Sequence, residues 1–344
     1  MWQRRSHDLF TNALRCACSN CTNERRYATD AADAVRYGFD GVKFDSERGG
    51  ADHNISLWAA ALNGTGKQMM IENCLDKHPA YMLTAPGYCP FNYYRAGPDN
   101  SRSFYGGITS VYEYTTPFVN ATVAGVPASR PGCFAYADML GIGSPIHGTA
   151  AWQKAVSKGC SQMSLDEERT LFSNWVIVSS PLVLGLDVAD DAVVAKYWPI
   201  IANERVLAIH AAWAGEAGRL LREGATSFDA WAHIGATCEV VRHQQLPTEL
   251  LYSKMLGHGA AAVLLVNLAN TTATDTTLSL SELRLAAGAG ATATEFDLAD
   301  AWTGAPLGRV NTASPSWRAA AIAPRASAFV VASPAGSPWV PPTV

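Results

Sequence analysis

A short apolar run, Gly41-Val42-Lys43-Phe44-Asp45, ends in a carboxylate with a lysine two residues before it. Side chains alternate faces along an extended strand, so Lys43 and Asp45 project to the same side. A neighbouring cation favours the ionised carboxylate. The pair reads equally well as a structural ion pair or as a carboxylate kept ready to act as a nucleophile. Glu72, Arg95, Asp99, Asp138 and Asp187 also sit at or just past the ends of short apolar runs. Such a gathering suits chemistry with two carboxyl groups, one attacking and one moving a proton. Cleavage of a glycosidic bond with retention needs them about 5–5.5 Å apart.

The elements that must position these groups alternate. Residues 28–37 read as a helix, with Thr29 or Asp30 near its N-cap and Gly38 closing it. The run ending at Asp45 follows, then a helical stretch over 52–62 and a strand over 68–72. Further strands are expected over 92–95, 134–138 and 182–187, with a helix over 164–178 that opens on the capping box Ser164-Leu165-Asp166-Glu167. Such alternation implies a parallel sheet covered by helices. In a (β/α)8 barrel the chemistry gathers at the C-terminal strand ends, which is where these polar residues fall. After about residue 219 the texture changes to apolar runs such as Ala261-Ala262-Val263-Leu264-Leu265-Val266, separated by Gly-, Thr- and Pro-rich turns. That pattern predicts an antiparallel β-sandwich, with loops over 271–277 and 286–293 and a poorly ordered tail from Ser333.

Several segments resemble glycoside hydrolase family 27, the α-galactosidase (melibiase) family. Gly38-Phe39-Asp40-Gly41-Val42-Lys43-Phe44-Asp45 is similar to its helix-to-strand segment, and Ala61-Leu62-Asn63-Gly64-Thr65-Gly66-Lys67 to the next helix end. Ile71-Glu72-Asn73-Cys74 resembles the following strand end, and Cys89-Pro90-Phe91-Asn92-Tyr93-Tyr94-Arg95 leads to Asp99 as in the family's Arg-x-x-x-Asp element. Arg130-Pro131-Gly132-Cys133 through Asp138-Met139-Leu140 looks like its Pro-Gly…Asp-Met-Leu signature. These blocks run in family order over roughly residues 13–222, with a weaker likeness beyond. The resemblance implies a retaining hydrolase that releases terminal α-D-galactose. Asp45 would be the nucleophile, Asp99 the acid/base, and Lys43, Cys74, Arg95 and Asp138 would contact the sugar. Relatives with the same acids act on α-N-acetylgalactosamine or β-L-arabinopyranose. Cys74 reads as a pocket residue or as a half-cystine, with Cys89 as a candidate partner. Glu72 and Asp187 read slightly better as structural groups.

The implied fold is a partial (β/α)8 barrel, about strands 3–8, over residues 1–218, then a sandwich over 219–335 and a tail over 336–344. Only 44 residues precede Asp45, which normally ends the fourth strand, and residues 9–19 look like the end of the third. The expectation is therefore a truncated product that is poorly soluble or inactive by itself, since missing strands leave unpaired sheet edges. Two further departures bear on the site. Glu47 stands where the family has a cysteine, and Gly97-Pro98 could displace Asp99.

Composition narrows the alternatives. A net charge of -4 and a pI of about 6.1 offer no broad basic surface for nucleic acid or anionic lipid. The longest apolar stretch, residues 176–188, is broken by Ser179, Ser180 and Pro181, so no membrane span is expected. Gly141-Ile142-Gly143 lacks the context of a dinucleotide-binding loop. Cys16, Cys18 and Cys21 have no second ligand pair at zinc spacing. No metal or organic cofactor is expected, because glycoside hydrolysis needs only carboxylates and water. Eight cysteines and the sequons at Asn20, Asn54, Asn63, Asn120 and Asn270 point to a secreted or lysosomal/vacuolar protein, although no signal peptide is visible. The expected partner is an oligosaccharide or glycoconjugate, with a homodimer left open. A catalytically dead carbohydrate-binding protein is the competing reading.

Overall fold

The computed structural model describes residues 27–45, 54–74, 79–99, 103–143, 163–234, 240–288 and 291–341. The first 26 residues lie outside these, as do Glu47 and Cys16, Cys18, Cys21, Cys160 and Cys238. The expected third strand and the missing family cysteine therefore have no structural counterpart to compare.

Helix α1 (Tyr27–Arg36) begins two or three residues before the expected cap and places Asp30 in its first turn. Gly38 follows with φ 81°, as a helix-closing glycine should. Strand β1 (Gly41–Asp45) then pairs in parallel with β2 (Met70–Cys74), which pairs with β3 (Tyr93–Arg95), and that with β4 (Phe134–Tyr136). Helix α2 (Ile55–Gly64) joins the first two strands, its Asn54 side chain accepting from Ser56 and Leu57 N–H. Val42, Phe44, Ile71, Tyr94 and Ala135 face the helices. Trp58 stacks on Tyr27 at 4.3 Å and lies 4.9 Å from Phe44, while Tyr94 meets Phe118 at 5.4 Å. The alternate residues Lys43, Asp45, Glu72, Cys74, Tyr93, Arg95 and Tyr136 share the opposite face.

Two of the expected strands shift. The second starts at Met70, not Gln68, because its register is set by pairing with Gly41. The expected strand over 182–187 is reduced to one parallel bridge, Leu140 to Leu184. Leu140 N–H donates to Val183 O, and Gly185 N–H to Leu140 O. Pro181 has no N–H to extend this ladder toward Ser180. Among the described residues the parallel strands form an open sheet and not a closed barrel. Helix α3 (Phe104–Thr109) runs through a π-helical turn, Ser110–Thr115, into α4 (Thr116–Asn120). Helix α5 (Leu165–Ile177) opens on the expected capping box, with Ser164 Oγ accepting from Glu167 N–H and the Glu167 carboxylate accepting from Ser164 N–H. Helices α6 (Asp191–Ile201) and α7 (Glu204–Ala211) complete this part.

The chain then becomes antiparallel. Strands β5 (Arg219–Glu223), β8 (Glu249–Gly257), β9 (Ala260–Asn267), β11 (Glu295–Asp300), β12 (Pro306–Asn311) and β14 (Ser327–Pro334) make a six-stranded sheet. Strands β6 (Ser227–Ile234) and β7 (Val240–Pro247) form a separate hairpin. The layer facing the large sheet is slight: β10 (Thr274–Ser279) paired with β13 (Ser316–Ile322), plus helix α8 (Leu280–Ala286). The expected loop over 271–277 is thus largely strand, since threonines pair well at a sheet edge. The expected loose tail is also corrected: Ser333 and Pro334 belong to β14, and Trp339 N–H donates to Ser333 Oγ. Strand β9 is buried along its whole length. Its Ala260, Ala262, Leu264 and Val266 join the core around α5, and Ala261, Val263 and Leu265 join the core under β10 and β13.

Gly218 sits at the passage from helices to sandwich. Its φ is 123°, and a Cβ there would lie 1.9 Å from the Ile177 carbonyl oxygen. Gly218→Ala is therefore expected to cost at least about 2 kcal/mol in denaturant unfolding. A loss below about 0.5 kcal/mol would show that this junction relaxes freely.

A buried polar cluster lies beside this junction. Lys254 is fully buried and donates to His210 O at 2.7 Å, while His210 Nε2 is 2.9 Å from Ser180 O. Burial pushes Lys254 down to about 7, with Glu216 pulling the other way. Burial, then repulsion by Lys254, pushes His210 down to about 4. In each case the unfolded chain binds the proton more readily. Stability should therefore rise with pH between about 4 and 6.5 through His210, and again above about 7 through Lys254. A melting temperature that falls between roughly pH 7 and pH 9 would contradict this.

Candidate active site

The register places the polar residues in layers. Asp45 pairs with Cys74 across β1 and β2, and Arg95 with Tyr136 across β3 and β4, all at the C-terminal strand ends. One layer below, Lys43 pairs with Glu72 and Glu72 with Tyr93. Glu72 is thus inside its strand and not at the end, because β2 runs on to Cys74. It is buried, its Oε1 lies 3.3 Å from Lys43 Nζ, and Tyr93 Oη donates to its Oε2 at 3.2 Å. Burial raises the Glu72 carboxyl above the usual carboxylate range against the pull of Lys43. For Lys43 burial favours the neutral amine, but the attraction of Glu72 prevails and its pKa is raised. Lys43 Nζ also reaches Asp45 Oδ2 at 3.8 Å. The lysine therefore stays charged beneath a carboxylate that is 39% exposed.

Arg95 holds the other half of the site. It is buried, and its Nη1 lies 3.0 Å from Asp138 Oδ1 while its Nη2 lies 2.9 Å from Asp99 Oδ1. Its Nε donates to Gly97 O at 3.3 Å, which ties down the turn leading to Asp99. Pro98 therefore does not pull Asp99 away from Arg95. The two partners differ sharply: the Asp138 side chain is 5% exposed and that of Asp99 71%. Asp138 adopts φ 79°, a left-handed conformation that Asp tolerates better than most residues. Its carbonyl accepts from Trp175 Nε1 at 2.9 Å, so α5 fixes this turn.

Cys74 sits between the two halves. Arg95 Nη1 approaches its sulfur at 3.6 Å, and burial pushes the thiol up to about 12 despite Arg95 and Lys43. It is a free, buried thiol. Cys89 pairs with Cys133 and not with Cys74, which corrects the half-cystine alternative. The 44-residue separation of that disulfide ties the segment before β3 to the residue before β4. Asp187 Oδ1 accepts from Ala189 N–H at 3.0 Å in the turn before α6. The structure thus gathers Lys43, Asp45, Glu72, Cys74, Arg95, Asp99 and Asp138 on one side of the sheet. Tyr93 and Tyr136, whose rings meet edge-on at 5.3 Å, were missed by reading acids and cations alone. Their period-two spacing with Arg95 and Asp138 carries that signal.

No family model matches this chain, and no curated protein matches it. Solved structures do. α-Galactosidase I from Mortierella vinacea matches with a TM-score of 0.65 at 15% identity, covering 91% of this chain and 72% of that one. α-Galactosidase from Saccharomyces cerevisiae matches with a TM-score of 0.69 at 15% identity, covering 91% and 76%. A GH27 β-L-arabinopyranosidase from Geobacillus stearothermophilus matches with a TM-score of 0.65 at 18% identity, covering 91% of this chain and 62% of that one. The chain shares its fold with these structures, a parallel α/β sheet followed by an antiparallel β domain, with no closed barrel among the described residues.

Proposed function

We propose that the chain is a family 27 glycoside hydrolase that releases terminal α-D-galactose with retention. The observation that carries this reading is the single row Asp45–Cys74–Arg95, with Arg95 binding both Asp99 and Asp138. Asp45, kept beside the charged Lys43, attacks the anomeric carbon, and the bond to the leaving oxygen breaks. Asp99 gives its proton to that oxygen, then takes one from the water that releases the sugar. To act as an acid, Asp99 must let go of Arg95, which keeps Asp138 as its buried partner. Arg95 and Asp138 then offer hydrogen bonds to ring hydroxyls, which discriminate more sharply than apolar contacts. The Cys89–Cys133 disulfide supports an oxidising, secretory compartment.

A second reading, a carbohydrate-binding protein without turnover, is favoured by the Asp99 carboxylate being occupied by Arg95. The nitrophenyl α-D-galactoside, α-N-acetylgalactosaminide and β-L-arabinopyranoside separate these readings and rank the sugars. Hydrolysis of the α-galactoside fastest of the three supports the proposal. Galactose binding with no hydrolysis of any of them supports the second reading.

A further inference from the structure

Glu72 takes no part in making or breaking the glycosidic bond, yet it lies in the middle of the site. It is buried, and it shares the sheet face of the reacting groups. Its two oxygens reach the strands on either side. Oε1 lies 3.3 Å from Lys43 Nζ on β1, and Oε2 accepts from Tyr93 Oη on β3 at 3.2 Å. The Tyr93 ring meets Tyr136 of β4 edge-on at 5.3 Å, so a chain of contacts runs from β1 to β4 through this carboxylate. A buried ion pair is a poor source of stability, because both charges lose water. What it fixes is position. Seated on Glu72, the ammonium stops 3.8 Å from Asp45 Oδ2, so the nucleophile keeps a cation beside it without being tied up by it. An ammonium has three donors, and those not spent on Glu72 can serve a sugar hydroxyl more strongly than a neutral amine would.

The surroundings single out Glu72 for this part. Lys43 faces Asp45 on its own strand, Glu72 and Cys74 on β2, and Arg95 on β3. Burial opposes the ammonium. Glu72 is the strongest of the groups that favour it, ahead of Cys74 and Asp45, while Arg95 repels it. Glu72 itself faces Lys43, Arg95, Tyr93 and Tyr136, and burial raises its carboxyl. We propose that Glu72 is a positioning residue, which seats the Lys43 ammonium beneath Asp45 and holds it there as a cation while the sugar reacts. This rests on the hydrolase reading of Asp45 and Asp99.

Glu72→Gln keeps the shape of the side chain and removes its charge. Burial then acts on Lys43 without the opposing pull of Glu72, so the amine loses its proton at a lower pH than in the parent. At acid pH Lys43 is charged in both proteins and the parent's own Glu72 takes up a proton, so the two draw together. The ratio of parent to Glu72→Gln in kcat/KM for nitrophenyl α-D-galactoside should therefore be smallest near pH 5 and grow about tenfold by about pH 9. Glu72→Asp, which keeps a carboxylate, should stay closer to the parent. Lys43→Arg supplies a cation that never loses its charge, and on that background Glu72→Gln should give a ratio that does not change with pH. A ratio for Glu72→Gln beside Lys43 that is the same at every pH, as a merely structural role would give, overturns the proposal. So does a ratio that still grows with pH beside Lys43→Arg. If the parent turns over no glycoside, the hydrolase reading fails. In that case, or if Lys43→Arg is inactive, NMR titration of lysine labelled with ¹³C at Cε decides whether Glu72 seats Lys43, whose signal is the one missing in Lys43→Arg. A midpoint lower in Glu72→Gln than in the parent supports the proposal, and an unchanged or higher one overturns it.

Discussion

Asp45→Gly is expected to lower turnover of nitrophenyl α-D-galactoside by about 10⁴-fold or more, because the proposed mechanism gives Asp45 the covalent bond to the sugar. Folding should survive the change: Asp45 is 39% exposed, and its contact with Lys43 at 3.8 Å is loose. Azide supplies the matching readout. In Asp45→Gly it can take the place of the lost carboxylate, displace nitrophenolate from the α-galactoside and give the β-galactosyl azide. In Asp99→Ala the nitrophenyl group leaves without a proton, the β-linked glycosyl-enzyme accumulates, and azide releases the α-galactosyl azide. Opposite anomers from the two variants would assign both carboxylates. Full turnover in Asp45→Gly would move the nucleophile elsewhere. Glu72 is a poor substitute, since burial favours its neutral form and it lies one layer below the strand ends.

Most of what positions Asp45 could be read from residue types, because the helix, the glycine and the five-residue run each carry a local signal. Glu72 and Cys74 could not be ranked that way. Their heights in the sheet depend on pairing Gly41 with Met70, a long-range choice that no local pattern encodes. The same holds for sulfur: three cysteines stand near strand ends, and only the fold shows that Cys89 meets Cys133 while Cys74 faces Arg95. Pro181 and Gly185 explain why residues 182–187 make one bridge and no strand, since one lacks a donor and the other crosses Leu140 closely. The hairpin at Ser227–Ile234 was legible but passed over. Its alternation of Asp229 and Trp231 with Ala230 and Ala232 is a half-buried strand by period alone.

Asp138→Asn is expected to be the most destabilising change at the site, by about 3 kcal/mol or more, whereas Asp99→Asn should cost under about 1 kcal/mol. Both aspartates pair with the same guanidinium at 3.0 and 2.9 Å, so distance does not separate them. Solvent does. Asp138 and Arg95 are both buried, and removing one charge leaves the other uncompensated in a dry environment. Asp99 stands in water, where its attraction is screened. Asparagine keeps the left-handed backbone that Asp138 adopts, so lost charge and not strain is what the substitution reports. The double variant Arg95→Met/Asp138→Asn should recover part of the stability that Asp138→Asn loses, because it removes the orphaned cation, while sugar binding stays lost. Equal destabilisation by Asp99→Asn and Asp138→Asn in denaturant unfolding would mean that Arg95 leans on its exposed partner. Asp99 would then be a structural carboxylate and no longer free to serve as the acid.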